Sequence, residues 1–323
     1  MNILLIGCGR MGLRHLIGLN EIKDEIFIID PRKNAEKDAH DVAVANKLKA
    51  KINFFTSFKE LPHNINIDAA IMSATAQNRL ERLYEVINLN IRNILIEKPI
   101  EQSRKRFQEI IDIASKYKLK IRCNHYHRTL PFFAKIKKNK SPLNIILTGG
   151  AFGLACNGIH WIDLAVYLSG SQKGKLLFGE IESTIIESGR GTNFRDYGGR
   201  GLFAFEDGSR LFINSSADSS APMTISIIQA HNQFIIDIKE DLAIIYRRPN
   251  SSNKPNYLYG ADYIRSEIRG IYTFPLWNNT IDWIRYLEGR GKCLLPKLEE
   301  ALIGNELLFD LLETTSSTKF SIT

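Results

Sequence analysis

The sequence predicts an α/β domain on a doubly wound parallel sheet over residues 1–123, then an α+β domain with an open, mostly antiparallel sheet over residues 124–323. Three observations carry this. Short apolar runs alternate with helical patterns through the first third of the chain, the rhythm of a parallel sheet covered on both faces. Beyond about residue 124 longer β-rich runs follow one another, and Asp207-Gly208 between two of them signals a tight hairpin. The length, 323 residues, is more than one core usually serves, so two domains are expected.

In chain order, residues 3–6 form a strand and 10–19 carry apolar side chains at helical spacing. Residues 25–29 are a second strand that ends at Asp30, followed by a helix at 34–46, a third strand at 52–56 and a short helical turn at 57–61. A fourth strand at 69–73, a helix at 79–89, a fifth strand at 93–97, a helix at 103–117 and a sixth strand at 120–123 complete the first domain. The second domain opens with a strand at 143–149 and an amphipathic helix at 157–168. The β runs are 176–186, 201–205, 209–215, 224–230 and 234–246, and helices return at 278–287 and 297–314. Polar stretches at 188–199 and 247–255 read as long loops, a length often tied to function. Leu211 alternates with Ile213, Ile225 with Ile227, and Phe234 with Ile236 and Ile238, so the second sheet has an apolar face. Such a face needs a cover, and a homodimer or homotetramer is expected to supply it.

Composition narrows the class. Apolar residues make up 44% and charged residues 24%, as in a globular chain in water. No run approaches the roughly 20 apolar residues that span a bilayer, so no membrane partner is expected. The opening Met1-Asn2-Ile3-Leu4-Leu5-Ile6-Gly7 lacks a basic lead and runs straight into a glycine turn; it is read as a strand and not a signal peptide, which points to the cytoplasm. Cys8, Cys123, Cys156 and Cys293 show no CxxC spacing, hence no disulfide framework and no metal site. The net charge of +8 could draw nucleotides, sugar phosphates or sugar acids, although the lysine-rich stretches at 116–120 and 135–140 favour a solvated surface. No nucleic-acid motif is present, so nucleic acid is not an expected partner.

Gly7-Cys8-Gly9-Arg10-Met11-Gly12 fits G-x-G-x-x-G between an apolar strand and a helix, and Asp30 closes the next strand 18 residues beyond Gly12. In that setting the pattern is the dinucleotide fingerprint of a Rossmann domain. Gly7 permits the tight turn, Gly9 lets backbone approach a pyrophosphate, and Gly12 lets helix meet strand. The helix N-terminus, with Arg10 and Met11 in its first turn, favours the anion. Asp30 accepts from the adenosine ribose hydroxyls and repels a 2′-phosphate, which favours NAD over NADP; Arg32 and Lys33 just beyond soften the preference, so NADP stays open.

Two further motifs carry a family resemblance: Glu97-Lys98-Pro99 at the end of the fifth strand, and Cys156-Asn157-Gly158-Ile159-His160-Trp161-Ile162-Asp163 in the second domain. With the glycine fingerprint, and in layout over nearly the whole chain, the sequence resembles the Gfo/Idh/MocA oxidoreductases (glucose–fructose oxidoreductase, inositol dehydrogenase and relatives). The resemblance implies NAD(P)-dependent hydride transfer between nicotinamide and a sugar-type hydroxyl or carbonyl, with nucleotide-linked or acidic sugars of surface polysaccharide synthesis among the candidate substrates. It implies that Lys98 and His160 flank the reacting carbon in a cleft between the domains, one of them handling the hydroxyl proton. It places Ser73, Ala74, Thr75, Asn78, Glu97 and Lys98 along the cofactor, with Ala76 and Arg79 where the family often has Pro and His. It suggests His125, Tyr126, Arg128, Asn157, His160, Arg195 and Tyr197 for the substrate, the last two from the basic segment 190–197. One departure stands out: sugar-oxidising members carry Asp one turn before the histidine, and here that residue is Cys156, read as a packed thiol in preference to a nucleophile. Two other readings stay open, a redox-neutral NAD-dependent enzyme such as a glycosidase, and a non-catalytic NAD-binding regulator.

Overall fold

The computed structural model describes residues 1–136, 141–187, 194–249, 252, 254–255, 257 and 262–315. The chain divides into two units, Met1–Thr129 with Pro275–Leu302, and Leu130–Phe274 with the described residues 303–315. The first unit begins β1 (Ile3–Ile6), α1 (Arg10–Gly18), β2 (Glu25–Ile29), α2 (Ala35–Ala45), β3 (Lys51–Phe55), β4 (Ala69–Met72), α3 (Arg79–Asn88), β5 (Asn93–Ile96), α4 (Arg104–Lys116) and β6 (Lys120–Cys123). Its six strands lie in the order β3-β2-β1-β4-β5-β6, every pair parallel. This is the predicted doubly wound Rossmann sheet, and its switch point lies between β1 and β4, where ligands gather beyond the carboxyl ends of the strands. β1 and β4 are buried along their whole length because helices cover both faces, which is why they read as unbroken apolar runs.

The second unit holds α5 (Pro131–Lys135), β7 (Asn144–Gly149), α6 (Leu154–Ser169), β8 (Gly174–Glu187), β9 (Arg195–Phe205), β10 (Arg210–Ser215), β11 (Thr224–Ile228), β12 (Asn232–Asp237), β13 (Leu242–Arg247) and β14 (Ile264–Arg269). They form one sheet in the order β14-β13-β12-β11-β7-β10-β9-β8, antiparallel except for the β7–β10 pair. The chain then returns through α7 (Asn278–Leu287) and α8 (Leu298–Leu312). No helix among the described residues is long and apolar enough to cross a membrane.

Several expectations are corrected. Residues 124–129 and 275–302, assigned from sequence to the second domain, fall in the first unit. Trp283, Ile284 and Leu295 share a buried cluster with Ile3, Leu5, Leu16 and Leu19, a contact between distant segments that local pattern does not announce. The run 234–246 is two strands, β12 and β13, broken by a turn in which Asp241 takes a left-handed φ of 48°. Residues 195–199, read as loop, begin β9, while 188–193 lie outside the described residues, as do 250, 251 and 253 of the predicted loop at 247–255, whose first residue ends β13. α5 and β14 carried no periodicity strong enough to be predicted.

The sheet face holding Leu211, Ile213, Ile225, Ile227, Phe234 and Ile236 is apolar as expected, but those residues are buried within the single chain. α6 lies against β9 and β10, Leu307 reaches Gly174, and Leu311 reaches Gly179 and Gly201. That face therefore needs no second copy to cover it. The opposite face, which alternates with it, shows Ile146, Ile228 and Ile235 to solvent.

Candidate cofactor and catalytic site

At the end of β1, Gly7 adopts φ +88°, and a Cβ there would stand 2.5 Å from the Ala74 amide nitrogen. A Cβ on Gly12 would run into the Gly7 carbonyl oxygen, which instead accepts a hydrogen bond from Ser73 Oγ at 2.5 Å. Gly9 is different: the space before its Cβ is open, with Arg32 Nη2 the nearest atom at 3.9 Å. α1 starts there without a side-chain cap and without an acidic residue in its first turn. An uncapped first turn beside the open Gly9 lies at the positive end of a nine-residue helix, the setting a pyrophosphate requires. The residues present fit a dinucleotide.

Asp30 closes β2 with a buried carboxylate. It accepts from the Cys8 amide (2.6 Å), the Arg32 amide (2.9 Å), and Arg32 Nε and Nη2 (2.9 Å each). Burial pushes this carboxyl up, but the Arg32 guanidinium and the two amides outweigh burial and hold it below its ordinary range. Burial, with Asp30 beside it, pushes the Cys8 thiol up to about 12, so it stays neutral. The Arg32 side chain is 54% exposed and lies over the carboxylate that the ribose would use.

The loop after β4 holds Ser73, Ala74, Thr75 and Asn78, the last with a left-handed φ of 59° at the start of α3. Two arginines shape it. Arg79, 1% exposed, donates to the Met72 and Ala74 carbonyls (2.8 Å each) and to Pro99 O (3.4 Å). Arg82 donates to the Thr75 (3.1 Å) and Gln77 (2.8 Å) carbonyls. Arg79 thereby ties this loop to the Glu97-Lys98-Pro99 segment, joined by a cis Lys98–Pro99 bond. Only its departure from the family's histidine marked Arg79 in the sequence; nothing marked Arg82.

Glu97 is 4% exposed, and its carboxylate faces into the first unit. It accepts from Asn124 Nδ2 and the Lys98 amide (3.2 Å), and its Oε1 lies 3.0 Å from His15 Nε2. His15 Nδ1 meets Thr280 Oγ1 at 2.8 Å, Asn279 donates to Asn124 Oδ1 at 3.3 Å, and Thr129 donates to Asn279 Oδ1 at 2.7 Å. Burial pushes Glu97 up, yet the hydrogen bond and charge of His15, the Asn124 amide and the Lys98 ammonium bring it down to about 2. This carboxylate, grouped from sequence with the cofactor contacts, is thus an internal anchor that fixes the backbone under Lys98. Lys98 itself remains partly exposed at the carboxyl end of β5. His15, Asn279 and Thr280 were missed because their meeting joins three distant segments.

The suggested substrate residues differ in standing. His125 and Arg128 are buried, and Arg128 Nη1 lies 3.6 Å from Glu300. Tyr126 is partly buried, and burial pushes its hydroxyl up to about 12 against the pull of Arg14. In the second unit α6 begins at Leu154, earlier than predicted, because Asp196 on β9 caps it. Asp196 accepts from the Ala155 amide (2.8 Å), the Cys156 amide (3.2 Å) and the Tyr197 amide (2.8 Å). Cys156 and Asn157 therefore lie inside the first turn, with Asn157 Nδ2 donating to Phe152 O. His160 and Asp163 follow on α6, both buried; Tyr197 is buried and Arg195 exposed. The structure thus brings Gly7–Gly12, Asp30, Arg32, Ser73–Asn78 and Glu97–Lys98 together in the first unit, and Asn157, His160 and Tyr197 in the second. Asp196, the residue that fills the α6 N-terminus, was passed over in the basic segment.

Residues 1–125 match the family model described as oxidoreductase family, NAD-binding Rossmann fold, of the Gfo/Idh/MocA type. No curated protein matches the sequence. Among solved structures, the UDP-N-acetylglucosamine 3-dehydrogenase of Acidithiobacillus ferrooxidans superposes with a TM-score of 0.67 at 16% identity, over 97% of this chain and 96% of that one. A dehydrogenase of Clostridium difficile gives 0.71 at 14% identity, over 98% and 99%. A levoglucosan dehydrogenase in complex with NADH and levoglucosan gives 0.69 at 13% identity, over 98% of each chain. These likenesses establish the fold of the whole chain, and the match over residues 1–125, with a glycine loop and Asp30 that fit the dinucleotide, shows that the first unit carries the NAD-binding Rossmann fold of the Gfo/Idh/MocA type of oxidoreductase.

Proposed function

We propose that the protein transfers a hydride between NAD and a sugar-type hydroxyl or carbonyl, with nucleotide-linked and acidic sugars as the first substrates to try. The observation that carries this reading is Lys98: a cationic side chain at the carboxyl end of β5, held by an anchored Glu97 and by Arg79 beside the glycine loop. Sugar substrates are supported by relatives of the same fold whose substrates are UDP-N-acetylglucosamine and levoglucosan.

A bound NAD would supply the hydride chemistry. The chain's residues do the rest. The α1 amides and Gly9 would hold its pyrophosphate, and Asp30 would hold its ribose once Arg32 yields the carboxylate. Lys98 hydrogen-bonds the substrate oxygen and exchanges its proton as C–H cleavage turns hydroxyl into carbonyl, and His160 shares that work. Asn157 and Tyr197 orient hydroxyl groups. A homodimer or homotetramer, if formed, uses the face that shows Ile146, Ile228 and Ile235.

The test is a screen of free sugars, sugar acids and sugar nucleotides with NAD, followed by NADH absorbance. Steady-state NADH production with at least one of them is the expected result. Substrate conversion without net NADH overturns the proposal in favour of a redox-neutral reaction; tight NAD binding without turnover on any member overturns it in favour of a regulator.

A further inference from the structure

The second unit contains a cavity of ≈ 900 Å³ that no step above uses. One wall is α5, through Pro131 and Phe132; the floor is the β12–β14 part of the sheet, through Phe234, Ile245 and Ile268, closed by Ile271. Phe132 meets Phe234 edge to face, with ring centroids 6.1 Å apart, which ties wall to floor. α6 covers the same sheet over β9 and β10, on the other side of β7, whereas the helix lining the cavity at this end is the short α5.

The cavity is not an extension of the α6 site. Gln229, Asn232 and Arg247 line it at the end of the sheet where Ile228 pairs with Asn144, the start of β7. Asn157 and His160 follow the far end of β7, and a six-residue strand is about 17–20 Å long. Gly270 and Ile271 line it beyond β14, four strands away from β7 at about 4.8 Å per strand.

Its chemistry is two-sided. The interior is apolar: Phe132, Ile136, Phe234, Ile245 and Ile271. The polar rim carries Lys135, Arg247 and Arg248 beside Ser141, Gln229, His231 and Asn232, with no Asp or Glu among the described lining residues. Lys135 and Arg247 are exposed, whereas Arg248 is buried and donates to Ser252 Oγ at 3.2 Å. Arg248 also lowers the pKa of Asp262, a carboxylate held in addition by Lys254 and Ser252. A rim whose described charges are all cationic over an apolar floor, at a volume within the usual 300–1,000 Å³ of small-molecule sites, selects one kind of occupant. We propose that this cavity binds a small amphiphilic anion: an apolar chain or ring system against Phe234 and Ile245, with one carboxylate or sulfonate facing Lys135, Arg247 and Arg248.

Decanoate, its neutral analogue decanol and the fluorescent anion anilinonaphthalene sulfonate test this on the full chain. Decanoate is expected to displace the dye with a single-site titration, and decanol to compete at least tenfold more weakly. Lys135→Glu with Arg247→Glu, two exposed changes that leave the core alone, should weaken decanoate at least tenfold and leave decanol unchanged. Ile268→Trp, which fills the floor from a 43% exposed position, should weaken both ligands. Thermal melting of each variant confirms that it is folded. The proposal is overturned if the parent binds neither decanoate nor the dye, if decanol binds as tightly as decanoate, or if the double charge reversal leaves decanoate binding intact.

Discussion

Arg32→Ala should tighten NAD binding and weaken NADP binding, which is the reverse of what a helpful cation beside a dinucleotide suggests. A carboxylate offers about four acceptor positions, and in Asp30 the Cys8 amide, the Arg32 amide, Nε and Nη2 occupy them. Ribose hydroxyls gain Asp30 only when the guanidinium leaves. With the Arg32 side chain 54% exposed, solvent screens the pair, and its worth is at the upper end of the surface range, about 1 kcal/mol for bidentate geometry. Removing that competitor should improve NAD affinity by about fivefold. A 2′-phosphate, by contrast, meets Arg32 as its partner and the bare Asp30 as a repellent. Arg32→Ala takes away the first and uncovers the second, so NADP should weaken by roughly tenfold or more, a charge-assisted bond being worth about 1.5–3 kcal/mol. Calorimetric titration of parent and variant with each cofactor, at low and moderate salt, measures both numbers. Weaker NAD binding in Arg32→Ala would refute the reasoning, because the guanidinium would then be a cofactor contact and not a competitor for Asp30.

The remaining predictions follow from the same unit and its chemistry. Asp30→Ser should weaken NAD and free Arg32 for a phosphate, narrowing the gap to NADP; equal NAD affinity in variant and parent contradicts it. Lys98→Ala should cost about 10²–10⁴-fold in turnover with little change in NAD affinity, the span of a positioned acid–base group, and full turnover would end the assignment. Glu97 has its folded pKa depressed from 4.5 to about 2, so its contribution to stability is present above the ordinary carboxylate range and lost as pH falls from about 4.5 toward 2. The bound on that contribution is about 3 kcal/mol, and acid titration of unfolding free energy should fall less steeply below pH ~5 in Glu97→Gln than in the parent. Cys156→Asp should raise turnover or shift its pH optimum if the thiol merely replaces the family's carboxylate; a fall in turnover shows a site rebuilt around Cys156.

What the sequence made legible was what short-range physics enforces. A strand buried on both faces must be apolar throughout, so β1, β4 and β5 stood out; a turn pressed against Ala74 and a helix pressed against the turn must use glycine, so Gly7 and Gly12 stood out. Asp207-Gly208 gave the β9–β10 hairpin because Gly208 has to take φ +89°. What stayed hidden was assembled from segments far apart in the chain. α7 reads as any amphipathic helix, and nothing in residues 278–287 says that Thr280 and Asn279 will complete a polar network with His15, Asn124 and Glu97. Asp196 looked like one more polar residue in a basic loop until its carboxylate was found on the α6 amides. The Asp30–Arg32 pair lies between these cases. Both residues were legible as cofactor contacts, but their mutual bond was not, since spacing alone does not say whether a cation two residues on points at the ligand or back at the carboxylate. That distinction reverses the sign of the expected Arg32→Ala effect. The same logic applies to Glu97: a charge within a motif-like tripeptide invites a ligand role, whereas burial among His15, Asn124 and the Lys98 amide makes it the support on which the partly exposed lysine beside it depends.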